Sequence, residues 1–183
     1  MAASAVLDKA IGKILNSKGC EADFKINNDG FSGRGKIITT NNKFKVSLPD
    51  AIMWFNGKDL YTFNAAISET TVVIPTEEEL TEANPLAYVT SAPKLYNVAF
   101  STVKKPDRYV LELTPKKNSG NIKRITLTIK KSDFTLETIV VEPRTGSPIR
   151  ADISGFKTGI SFSAKEFEYP QDKYSKIELI DLR

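Results

Sequence analysis

The sequence predicts a mainly β domain, a sandwich or barrel-like sheet preceded by one helix and interrupted by a short helical insert. Three observations carry this. Apolar–polar alternation recurs along most of the chain. Turn residues separate the alternating segments at intervals of about eight to twelve residues. Helical periodicity is confined to residues 6–15 and to the region 76–91.

In the first segment Val6, Leu7, Ala10, Ile11, Ile14 and Leu15 recur at i, i+1, i+4, i+5, i+8 and i+9, one apolar stripe along a helix. Gly19 is placed to end it. Such a stripe needs an apolar surface to lie on. Cys20 to Ile26 then alternates, and Asn28-Asp29-Gly30 turns into a strand over Phe31 to Thr40. Phe44, Val46 and Leu48 alternate with Lys43, Lys45 and Ser47. Asn56-Gly57, between Ala51–Phe55 and Lys58–Phe63, is the strongest hairpin signal present. Ile67 to Ile74 is rich in β-branched residues and stops at Pro75.

Thr76-Glu77-Glu78-Glu79 reads as a capping box, with Thr76 as N-cap and acids in the first turn. Asn84 as N-cap and Pro85 at the first helical position restart a short helix through Leu86, Tyr88 and Val89, which Ser91 and Pro93 close. Further strands are expected over Lys94–Thr102, Arg108–Thr114, Ile122–Lys130, Thr135–Val141, Ile149–Phe156 and Ile160–Tyr169, with Lys176–Leu182 as a last edge. Turns fall between them, Asn118-Ser119-Gly120 among them. No composition break or repeat divides the chain, so residues 1–183 form a single domain.

Composition bounds the chemistry. The chain has 183 residues, 26 Lys+Arg against 22 Asp+Glu, one Cys and no His. Without histidine there is no Ser-His or Cys-His arrangement and no usual catalytic zinc site. One cysteine excludes an intrachain disulfide or a thiolate cluster. Gly30-Phe-Ser-Gly33-Arg-Gly35 precedes a strand rather than a helix, so it reads as glycines at a bend or close approach, not as a phosphate loop. Glu77–Glu79 are helix-start residues, and no carboxylate pair stands out for acid–base work. Lysines and arginines sit at strand ends, and a net charge of +4 does not mark a nucleic-acid surface. No apolar run is long enough to span a bilayer, and Met1-Ala-Ala-Ser4 does not open a signal peptide. The chain is therefore read as cytosolic or as a mature region behind an initiator Met. Cys20 follows polar Asn16, Ser17 and Lys18 and reads as a strand thiol rather than a lipidation site. What is abundant is large apolar side chains, enough for a curved sheet to leave an apolar gap beneath its helices.

The order of elements resembles a known family. The N-terminal helix, the glycine-spaced strand Gly30 to Ile38, the Phe44-x-Val46-x-Leu48-Pro49 strand and the Asn56-Gly57-Lys58-Asp59-Leu60-Tyr61-Thr62-Phe63-Asn64 hairpin come first. The insert at Asn84-Pro85-Leu86, Tyr96-Asn97-Val98 and Leu113-Thr114-Pro115-Lys116-Lys117 follow. Together they are similar to the LolA-type periplasmic carriers of outer-membrane lipoproteins. That resemblance implies an unclosed antiparallel half-barrel of about eleven strands, with short lid helices across its concave face. It implies a monomeric, non-enzymatic carrier without cofactor or metal, acting in the periplasm after removal of a signal peptide. Its partners would be acylated lipoproteins, an inner-membrane lipoprotein-release complex and an outer-membrane acceptor, with no nucleic acid and no membrane-spanning part. A lipid- or lipoprotein-sensing module of the same fold is the alternative. The residues expected to line the cavity are Val6, Leu7, Ile11 and Ile14 from the helix, Phe44, Val46, Leu48, Trp54 and Phe63 from the sheet, and Leu80, Leu86 and Tyr88 from the lid. One departure stands out: the family's lid-latching arginine after the glycine-spaced strand is replaced by Thr39-Thr40-Asn41-Asn42, leaving Asn41 or Arg34 as substitutes.

Overall fold

A computed structural model describes residues 1–15, 18–118 and 120–183. Asn16, Ser17 and Ser119, which entered the readings of the Cys20 region and of one turn, lie outside them. Helix α1 (Ala3–Leu15) leads into β1 (Cys20–Asn28), β2 (Phe31–Thr40), β3 (Lys43–Ser47), β4 (Ala51–Phe55), β5 (Leu60–Asn64) and β6 (Glu69–Val73). Three short helices follow, α2 (Glu77–Ala83), α3 (Ala87–Thr90) and α4 (Ala92–Leu95). Then come β7 (Tyr96–Phe100), β8 (Arg108–Pro115), β9 (Ile122–Lys130), β10 (Leu136–Pro143) and β11 (Ile149–Lys157), a 3₁₀ turn at Ala164–Phe167, and β12 (Glu178–Asp181).

All twelve strands form one sheet in the order β12-β6-β5-β4-β3-β2-β1-β11-β10-β9-β8-β7. Its ends, β12 and β7, do not meet, so the half-barrel is unclosed. Every ladder is antiparallel except β12 on β6. Register assigns the faces. Phe44 pairs with Phe55, Phe55 with Leu60, and Leu60 with Val73, which puts all four on the concave side. Phe24–Ile153, Ile139–Leu127 and Leu111–Leu127 continue that side across the other half of the sheet. Gly35 allows β1, β2 and β3 to approach there: a Cβ on it would stand 2.4 Å from the Phe24 ring and 2.7 Å from the Ser47 carbonyl.

α1 lays its stripe, Val6, Leu7, Ala10 and Ile14, on this concave side, packed against β7, β8 and α3. The Asn56-Gly57 hairpin forms as its sequence demands. The Asn56 Oδ1 accepts from the Lys58 and Asp59 amides at 3.0 and 2.8 Å, and Gly57 takes φ +100°.

Three local expectations are corrected. Residues 160–169 do not form a strand, because β11 already pairs with β1 on one side and β10 on the other. No edge is left for a hairpin partner, and the chain crosses the outer face instead. Pro93 does not end the insert. It sits in the first turn of α4, where its missing N–H costs nothing. Asn84 does not cap α3 directly; it ends α2, and its Oδ1 accepts from the Leu86 amide at 2.9 Å, closing a turn between the two helices. Thr76 caps α2 as expected, accepting from the Glu79 amide at 3.2 Å.

Candidate functional site

Beneath the helices the concave face is not fully filled. A cavity of about 540 Å³ opens at one end of the sheet and a smaller one of about 210 Å³ at the other. The larger lies at the end carrying the β2–β3 and β4–β5 turns. Phe44, Phe55, Ile74, Leu80 and Leu86 supply its apolar wall, with Ile14 and Leu15 of α1. Thr39, Asn41, Asn42, Lys58 and Asn84 also line it, so it combines an apolar wall with polar groups. The smaller cavity, walled by Phe24, Val46, Leu48, Met53, Tyr88 and Ile139, lies at the β1–β2 turn end and includes Asn28.

Between the two stands the lid, α2 and α3. Its residues alternate between the cavities: Asn84, Leu86 and Ala87 face the larger, Ala83, Pro85 and Tyr88 the smaller. Leu86 and Val89, 1% and 0% exposed, plug the lid into the core. Burying two such side chains is worth about 1.5–3 kcal/mol each. Among the described residues no hydrogen bond joins α2 or α3 to the sheet. The polar ties of the insert are elsewhere. Lys94 pairs with Glu77 at 2.6 Å, and Lys116 reaches the Pro93 carbonyl at 2.9 Å, which fixes α4 to the end of β8. The lid is therefore apolar toward the sheet, and its polar tie runs from Glu77 to α4. Burial pushes the Tyr88 phenol up, with Tyr96, Glu82 and Glu78 adding to the effect, so it stays neutral near pH 7.

Of the expected lining residues, Ile14, Phe44, Leu80 and Leu86 meet in the larger cavity, and Val46, Leu48 and Tyr88 in the smaller. Val6 and Leu7 are buried and Ile11 half-buried in the core under α1, lining neither cavity. Trp54 and Phe63 are misplaced by the sequence reading. Trp54 pairs with Tyr61 and Ile52 with Phe63, the opposite parity to Phe55 and Leu60, so both lie on the convex face. There, with Val72, Tyr169 and Tyr174, they form a separate cluster beneath the segment that follows β11. Phe55, Phe24 and Ile139 were missed. Strand parity could have found Phe55, because the Asn56-Gly57 turn fixes which residues of β4 and β5 face each other. Arg34 is exposed and pairs with Lys25 on the convex face, so it cannot latch the lid. Asn41, in the tight β2–β3 turn with φ 51°, does line the larger cavity.

Burial pushes the thiol of Cys20, fully buried on the concave side of β1, up to about 11. Among the described residues, no group of three or more Cys, Asp or Glu could hold a metal ion, and no helix is long and apolar enough to cross a membrane.

Residues 1–147 match the family model of the outer membrane lipoprotein carrier protein LolA. No curated protein matches the sequence. Among solved structures, an uncharacterized conserved protein from Thermus thermophilus superimposes with a TM-score of 0.67 at 11% identity, covering 98% of each chain. A Vibrio parahaemolyticus protein described as an outer membrane lipoprotein-sorting domain gives 0.51 at 9% identity, over 94% of this chain and 99% of that one. MucB gives 0.52 at 11% identity, over 97% of this chain but 65% of its own. At such identities these likenesses show the fold, and the family match shows the kinship. The chain belongs to the outer membrane lipoprotein carrier protein LolA family.

Proposed function

We propose that this member of the family is a periplasmic carrier that holds lipoprotein acyl chains in the lidded trough and shuttles them from the inner to the outer membrane. The observation that supports this best is an apolar trough with room left in it, covered by a lid whose contact with the sheet is apolar. An acyl chain buries about 0.8 kcal/mol per CH₂, so a chain of about sixteen carbons is kept from water by about 12 kcal/mol. Lifting Leu86 and Val89 out of the core costs about 3–6 kcal/mol. Cargo therefore more than offsets the opening of the lid, and the lid re-closes when cargo leaves. Short helices of four to seven residues, marginal on their own, suit a part that must swing. The asparagines and Lys58 of the larger cavity suit the polar end of a lipid, with the chains running inward over Phe44 and Phe55. Binding and release need no covalent step.

Purified protein is expected to take up a triacylated lipoprotein, or a hydrophobic dye, stoichiometrically. Val46→Glu places a carboxylate in the trough and should weaken uptake by a factor of a hundred or more, with the circular dichroism unchanged. Undiminished uptake by a folded Val46→Glu protein overturns the reading.

The second reading is a lipid- or lipoprotein-sensing module. It is favoured by the likeness of fold to MucB, of whose chain 65% is matched, and it would need a further partner-binding region. A depletion strain separates the two: stalled outer-membrane lipoproteins support carriage, and normal sorting with an altered stress response supports sensing.

A further inference from the structure

At the sheet end that carries the larger cavity, on the β7–β10 side, an aromatic row meets a group of unpaired lysines. Phe100, Tyr109 and Phe134 form a row, with Phe100 tilted on Tyr109 at a centroid distance of 6.2 Å and Tyr109 stacked on Phe134 at 5.9 Å. Lys9 of α1 lies 4.9 Å over the Phe134 ring and Lys131 lies 5.3 Å over Tyr109. The β7–β8 loop completes the patch. Phe100 is 46% exposed and Val103 60%, and Val103 is followed by exposed Lys104 and Lys105. Lys105 bridges to Arg108, which pairs with Lys130, and the Lys131 amide donates to the Asp107 carbonyl at 3.1 Å. One continuous surface therefore joins α1, the β7–β8 loop and the β9–β10 turn.

Two of the three carboxylates here are engaged, and the third, exposed Asp107 of the β7–β8 loop, lies in no ion pair among the described residues. Glu137 takes a two-point contact from Arg108 at 2.7 and 3.1 Å, and Asp133 faces Lys13 at 3.8 Å. Among the described residues, Lys9, Lys104 and Lys131 lie in no ion pair. The local cations outnumber the carboxylates, so much of the chain's +4 excess is concentrated at this rim.

An exposed ring, Phe100, and an exposed valine, backed by half-buried Tyr109 and Phe134 and flanked by lysines in no ion pair, are a pattern that binds an anionic bilayer surface. The apolar side chains enter the headgroup region while the ammonium groups meet phosphates. From this we infer that the rim is a docking surface for a membrane rich in anionic phospholipid. A docked molecule would present the same end of the sheet at which the larger cavity opens. The surface rests on its own residues, whatever occupies the trough.

Co-sedimentation with vesicles tests this. At low ionic strength the protein is expected to bind vesicles of phosphatidylglycerol and phosphatidylcholine, to bind phosphatidylcholine vesicles far less, and to release as salt rises. Each lysine near such a surface contributes about fivefold, so replacing Lys104, Lys105 and Lys131 together by Ala should lower partitioning about a hundredfold. Val103→Ser should weaken binding while leaving its salt dependence intact. A second triple variant, Lys165→Ala with Lys173→Ala and Lys176→Ala, removes equal charge from exposed positions elsewhere and should bind like the parent. All these positions are exposed, and an unchanged thermal transition confirms that each variant is folded. Failure of the parent to sediment overturns the inference and leaves an acidic protein as the occupant of the rim. Equal binding by parent and rim variant, or an equal loss in the distal variant, overturns it as well.

Discussion

Strands β3 to β6 are covered on both faces, and the two covers are built to opposite ends. On the concave face the lid offers Ala83, Leu86 and Val89, and no hydrogen bond ties α2 or α3 to the sheet among the described residues. On the convex face the segment 160–177 lays Tyr169 and Tyr174 on Trp54, Tyr61 and Phe63. Tyr61 and Tyr169 stack at 4.8 Å, and Tyr169 meets Trp54 edge-on at 5.3 Å. Tyr169 also shares a buried hydrogen bond with Thr70 at 2.9 Å. Rings with directional contacts fix one arrangement, whereas small aliphatic side chains over a cavity leave several close in energy. The same sheet thus carries a cover of directional aromatic contacts on one side and a cover of aliphatic contacts over a cavity on the other.

If that contrast holds, the largest effect on stability comes from the convex face. Trp54→Ala should destabilise by about 3–5 kcal/mol, seen as a drop of roughly 10 °C or more in Tm, with dye affinity per folded molecule unchanged. A changed affinity would mean the two faces are not separate. Leu86→Ala should cost about 2 kcal/mol, the low end for a buried leucine because a cavity already adjoins it. Its signature is faster dye exchange and earlier deuterium uptake in residues 77–90, out of proportion to the loss in Tm. Tyr169→Phe removes one buried hydrogen bond and leaves Thr70 unpaired, for about 1–2 kcal/mol by urea denaturation, with trough exchange untouched. The smallest effect is that of pH. The Arg183 guanidinium and amide hold the Asp181 carboxyl down to about 2. A depressed carboxylate stabilises the fold above its unfolded value of about 4. That contribution is lost as pH falls through about 2. Because the group is exposed, acid should loosen the β12 end only slightly, a change that Asp181→Asn would abolish.

Much of the fold was legible because local chemistry and tertiary environment agree. The α1 stripe finds the concave face it requires, and Asn56-Gly57 makes its hairpin. Thr76 caps α2, and the glycine-spaced strand is a close approach at Gly35. The site was legible in its residue types and less so in its geometry. Seven of the twelve expected lining residues reach a cavity. Trp54 and Phe63 were selected for size, yet size does not choose a face, and the hairpin's register does. The segment 160–169 alternates like a strand, but a strand exists only where a neighbour has an edge to offer. β12 pairs in parallel with a strand far away in sequence, a contact no local signal announces.

That parallel pairing also bears on how the molecule assembles. Leu179 meets Thr70 across more than a hundred intervening residues, a closure that entropy makes late relative to the neighbouring hairpins. Until it forms, β6 presents bare amides and carbonyls beside Tyr61, Trp54 and Val72, an invitation to pair with another chain. The segment that carries β12 covers that edge, and its sequence separation places its docking after the hairpins it seals. Refolding that is slow and concentration-sensitive without residues 160–183, and fast with them, would be the kinetic trace of that seal.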